Sequence, residues 1–152
     1  MKTLFLMQIL SGGLLAALSA AACAQPCDNI LNALEREKDL ALVQRAGAMQ
    51  VTHYKASENI DLDVKCGLGK PNIGVYWAGP IPDQAFYDLV GRAGTLVSSR
   101  SAADVVKASK QCRQQALKDN GEIATVEQKG LAIECQAFAR DGGGTTITVF
   151  AE

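Results

Sequence analysis

From residue 51 onward the chain moves between two hydrophobic periods. Ile60 to Cys66 alternates strictly, with Ile60, Leu62, Val64 and Cys66 on one side and Asp61, Asp63 and Lys65 on the other. A two-residue period of this kind predicts a strand with one buried face. Val51–Tyr54 and Ile73–Trp77 read the same way, and Gly67-Leu68-Gly69-Lys70-Pro71 supplies a turn between Ile60–Cys66 and Ile73–Trp77. After a central block the theme returns in Ile123–Val126, Leu131–Phe138 and Thr145–Phe150, with Asp141-Gly142-Gly143-Gly144 turning the chain before the last run.

The central block has a period of three to four residues. Phe86, Leu89, Val90, Ala93 and Val97 line one side of a helix that opens at Pro82-Asp83. A second helix begins at Ser101, with Asp104 three residues on, and buries Val105, Ala108, Cys112, Ala116 and Leu117. Asn120-Gly121 ends it. Near the N-terminus Asp28 caps a helix whose apolar positions run from Ile30 and Leu34 to Leu40, Ala41, Val43 and Ala46. The charged cluster Glu35-Arg36-Glu37-Lys38-Asp39 interrupts it, either as a solvated face or as a break between two short helices.

The two halves resemble each other. Leu62-Asp63-Val64-Lys65-Cys66 matches Leu131-Ala132-Ile133-Glu134-Cys135, and Ile73-Gly74-Val75-Tyr76 matches Ile147-Thr148-Val149-Phe150. The expected architecture is therefore α+β: an antiparallel sheet from two helix-strand-strand-strand units, with an extra helix between them.

The first two dozen residues stand apart. Lys2 precedes an apolar run from Leu4 to Leu18, and Ala22-Cys23-Ala24 has the small-x-small pattern of a cleavage site. Residues 1–24 read as an export signal, leaving 25–152 as one α+β domain in the periplasm or outside the cell. A transmembrane anchor is disfavoured because the run is short and holds Gly12-Gly13. Lipid anchoring through Cys23 is the less favoured alternative. No later segment is long and apolar enough to span a bilayer.

Processing changes the cysteine count. Of five cysteines, Cys23 leaves with the signal, and Cys27, Cys66, Cys112 and Cys135 remain for two disulfides. Local pairing favours Cys27–Cys66 and Cys112–Cys135. The rival is Cys27–Cys112 with Cys66–Cys135. The four are widely spaced without a C-x-x-C pair, which argues against a zinc site.

The whole chain carries 15 basic and 16 acidic residues, with no basic stripe. Nucleic acid is therefore not an expected partner. Gly142-Gly143-Gly144 lacks the helix and Lys-Ser/Thr of a phosphate loop. Ser98-Ser99-Arg100-Ser101 lacks a nucleophile elbow. His53, the only histidine, has no second histidine to complete a metal site. Asp61 and Asp63 are two apart on the outward side of one strand, where acids usually serve solubility. No catalytic, cofactor-binding or metal-binding residue is assigned, and no cofactor is expected.

Tyr76, Phe138 and Phe150 fall out of phase with the apolar sides of their strands. They either pack under a helix or form a patch that anchors a partner protein. Trp77 falls on the inner side as core. These features point to an exported non-enzymatic binding protein acting through protein–protein contacts, as an inhibitor or immunity factor does. The alternatives are a small secreted hydrolase using Asp61, Asp63 or His53, or a structural envelope protein, with or without a lipid anchor.

Overall fold

The structure, a computed structural model, describes residues 24–47, 50–67 and 69–152. Of the expected export segment 1–24, residues 1–23 lie outside the described residues and Ala24 opens the first helix. Among the described residues three helices and seven strands follow one another: α1 (Ala24–Leu34), β1 (Ala41–Gln44), β2 (Val51–Ser57), β3 (Ile60–Lys65), β4 (Asn72–Ala78), α2 (Gln84–Gly94), α3 (Ala102–Ala116), β5 (Ile123–Gln128), β6 (Leu131–Phe138) and β7 (Gly144–Phe150).

The strands form one antiparallel sheet in the order β1-β2-β3-β4-β7-β6-β5. The two three-stranded units are thus joined through β4 and β7. Their matched segments lie side by side, with Ile73 opposite Val149, Gly74 opposite Thr148 and Val75 opposite Ile147. This pairing relates Ile73-Gly74-Val75 to Ile147-Thr148-Val149 by an approximate two-fold axis through the Gly74–Thr148 pair. The likeness of Ile73–Tyr76 to Ile147–Phe150 is therefore built into the middle of the sheet, whereas the match of Leu62–Cys66 with Leu131–Cys135 is two residues out of step with the axis, which relates Asp63 to Glu134.

The alternation seen in the sequence sets the sheet's two faces. Leu62 and Val64 on β3, Ile73 and Val75 on β4, Ile133 and Cys135 on β6, and Ile147 and Val149 on β7 are buried together with helix residues. From the helices come Ile30 and Leu34 of α1, Phe86, Leu89 and Val90 of α2, and Val105, Ala108 and Cys112 of α3. All three helices cover this one face. Two disulfides pin it: Cys27–Cys66 ties the start of α1 to the residue after β3, and Cys112–Cys135 ties α3 to β6. Two bridges fit a protein that folds outside the reducing cytosol. Among the described residues no helix is long and apolar enough to cross a membrane.

Local chemistry explains the helix starts. Asp83 caps α2, its side chain accepting from the Phe86 amide at 2.9 Å. Ser101 caps α3 and accepts from the Asp104 amide at 3.2 Å. The two helices pack closely because Gly91 and Gly94 face α3. A Cβ on Gly94 would come within 2.7 Å of Val105 Cγ1.

The N-terminal region departs from expectation. The helix stops at Leu34, and Leu40, Ala41 and Val43 do not continue it; Ala41–Gln44 is the edge strand β1. The charged cluster is the break between them. Its Glu37 and Asp39 carboxylates accept from Arg92 of α2 at 3.1 and 2.8 Å, and Glu35 pairs with Arg45. The first unit therefore carries one strand more than the second. Leu117 also differs: α3 ends at Ala116, and Leu117 is 41% exposed rather than part of the buried stripe.

Candidate functional site

The sheet face opposite the helices is uncovered among the described residues. Its side chains can be read as rows across the strands from the pairing register. One row runs His53, Asp63, Gly74, Thr148, Glu134, Thr125. The next runs Lys55, Asp61, Tyr76, Thr146, Gln136, Ile123, and on the other side lies Lys65, Asn72, Phe150, Ala132, Glu127. Apart from Gly74, these positions are half-buried or exposed, in contrast to the closed opposite face.

Residues that stand far apart in sequence meet here. The Asp63 carboxylate accepts from His53 Nδ1 at 2.5 Å, and Lys55 Nζ donates to Asp61 at 3.0 Å. With Nδ1 committed to the carboxylate, Nε2 is the nitrogen left with a free lone pair in the neutral ring. Tyr76 lies beside Asp63 from the other strand. Burial, the negative charge of Asp63 and a hydrogen bond to that carboxylate push the Tyr76 phenol up to about 12. Asp63 is the pivot of the group, its side chain only 15% exposed against 43% for His53. A shallow cleft of about 540 Å³ opens over these groups, between Val43 and Gln44 on β1 and Asp61, Asp63 and Tyr76.

The raised Tyr76 value sets a pH dependence. The unfolded chain releases this proton near 10, the folded protein near 12. Stability is therefore intact below pH 10 and falls as pH rises from 10 towards 12, because the unfolded state then binds fewer protons. An ultraviolet phenolate titration, with Tyr76→Phe to assign the signal, is expected to place Tyr76 near 12 and to lower it in Asp63→Asn. An ordinary value near 10 in the folded protein contradicts the geometry.

The three aromatic residues singled out in the sequence share this face but not one spot. Tyr76, Phe138 and Phe150 occupy separate rows and do not stack on one another. Among the described residues no helix covers them. The Tyr76 ring lies over Gly74, where a Cβ would meet its hydroxyl at 3.0 Å. The Phe138 ring lies over Gly144, where a Cβ would come within 2.5 Å, and the Arg140 guanidinium sits over the ring at 5.3 Å from its centroid. Flat rings over glycines fill the hole a missing side chain leaves on a sheet. Trp77 points to the helix side and meets Phe86 edge-on at 6.2 Å.

Two further placements matter. Among the described residues the four cysteines, Cys27, Cys66, Cys112 and Cys135, are all bridged and offer no thiol chemistry. Among the described residues no three His, Cys, Asp or Glu side chains gather as metal ligands. A larger groove of about 700 Å³ lies on the outer side of α2 and α3, over Gly91, Ala102 and Val106. Its Arg92 is already engaged with Glu37 and Asp39. No protein-family model matches the chain, and no curated protein or solved structure matches it either.

Proposed function

We propose that this is an exported binding protein that docks a protein partner on its uncovered sheet face, as an inhibitor or immunity factor does. One observation carries the reading: all three helices crowd onto one side of a seven-stranded sheet, leaving the other side with half-buried aromatics among threonines and charged groups. Single-sided antiparallel sheets are common. What sets this face apart is Tyr76, Phe138 and Phe150 together with an ordered His53–Asp63 pair, rigid groups that lose little entropy on contact. Two disulfides support an oxidising compartment as the place of action.

A photo-crosslinking residue at Thr148, at the centre of the face, tests this in cells. Adducts are expected from Thr148, and fewer when Tyr76→Ala is added. A second reading rests on the contact between His53 and Asp63, which gives a small hydrolase an oriented base. A hydrolytic activity lost in His53→Gln and kept in Tyr76→Ala would replace docking with catalysis.

A further inference from the structure

We infer that the partner presents a basic surface to this sheet face, held by carboxylates on both sides of the approximate two-fold axis. The inference rests on the docking reading and names the chemistry of its occupant. The face carries four carboxylates, Asp61, Asp63, Glu127 and Glu134, against two lysines, Lys55 and Lys65. Lys55 is already paired with Asp61. Asp63 accepts hydrogen bonds from His53 and Tyr76 and, among the described residues, pairs with no lysine or arginine. Glu134 is exposed and sits in the same row as Asp63. Arg140, beside Phe138 at the end of the face, is tied to Glu122 and Asp141, and away from the face Arg92 and Arg100 are each tied to acids.

The placement of the charges is as informative as their sign. Asp63 and Glu134 lie three strands apart, roughly 14 Å, with Gly74 and Thr148 between them. The axis through that pair exchanges Asp63 with Glu134 and Tyr76 with Phe150. Each half of the face thus offers a carboxylate and an aromatic ring. That combination suits lysine or arginine, whose charge pairs with the acid and whose flat or methylene body lies on the ring. An acidic partner would meet uncompensated like charge across the same rows.

Two peptides of equal length test this on the disulfide-bonded protein, one alternating Arg with Thr and one alternating Glu with Thr. Amide chemical shifts report where each binds. The arginine peptide is expected to move amides of β3, β4, β7 and β6, and to bind more weakly as salt rises. Asp63→Asn with Glu134→Gln is expected to weaken it roughly tenfold, while Asp88→Asn on α2 leaves it unchanged. Equal binding of both peptides, binding to the helix side, no binding, or indifference to the double variant overturns the inference. The docking reading is judged separately. Adducts from Thr148 that survive the double variant keep docking and remove the basic partner; no adducts from Thr148 remove docking itself.

Discussion

Replacing Cys112 and Cys135 together by alanine is expected to cost about 3 kcal/mol and to lower the melting temperature by roughly 10 °C or more. The bridge closes a loop of 23 residues, so its loss returns conformational entropy to the unfolded chain. The structural setting adds to this. Both cysteines are fully buried, and they join α3 to β6 in the middle of the core. Two alanines leave the sulfur volume empty between a helix and a strand that cannot fully close over it. Thermal unfolding followed by circular dichroism checks the value. A shift of under about 3 °C would mean that the core holds α3 without the bridge.

The Cys27–Cys66 bridge closes a longer loop of 39 residues, but it sits at the edge of the core. Its loss acts on α1, which the core otherwise holds through Ile30 and Leu34.

Phe86→Ala is expected to be still more damaging, at about 3–5 kcal/mol. Phe86 is fully buried and lies edge-on to Tyr87 at 5.2 Å and to Trp77 at 6.2 Å. It therefore links α2 to the inner face of β4. The helix start is not at stake, because the amide that Asp83 accepts from survives the substitution. The loss is one of packing and apolar burial. Since small domains are stable by only about 5–15 kcal/mol, roughly a fifth of that margin or more goes with one ring. The urea midpoint should fall with an unchanged slope. A loss under about 1 kcal/mol would show that neighbouring side chains collapse into the space.

Much of the fold is legible because burial on one face leaves a period-two mark. Leu131–Phe138 alternates from end to end, and β6 has those bounds. Ser101 and Asp83 announce helix starts through chemistry that is local in sequence. Local pairing of the cysteines also agrees with the bridges observed.

What escapes the sequence depends on contacts between distant segments. Ala41–Gln44 has four residues, all exposed, and only β2 holds it as a strand. Its apolar residues happen to continue the helical spacing of α1. The adjacency of His53 and Asp63 is hidden for a different reason. Counting back from a two-residue turn at Glu58-Asn59 pairs Tyr54 with Asp63. The register slips between Lys55 and Ser57, and the slip brings His53 opposite Asp63 and Lys55 opposite Asp61. A bulge of one residue decides which side chains meet, and nothing in the local composition signals it. The sequence does place Tyr76, Phe138 and Phe150 on the side opposite the apolar positions. It does not reveal that the Tyr76 ring folds back over Gly74 of its own strand, which depends on the ring's orientation, or that Phe138 lies over Gly144, which depends on the pairing of β6 with β7.

The central claim is that the uncovered face, rather than the helix layer, is where a partner sits. The most direct measurement compares photo-crosslinking residues at Thr148 and Thr146 on that face with one at Lys107 on α3, in cells of the source organism. Docking on the sheet predicts a discrete adduct from Thr148 and Thr146 and none from Lys107. An adduct from Lys107 alone, or none from either threonine, would contradict it.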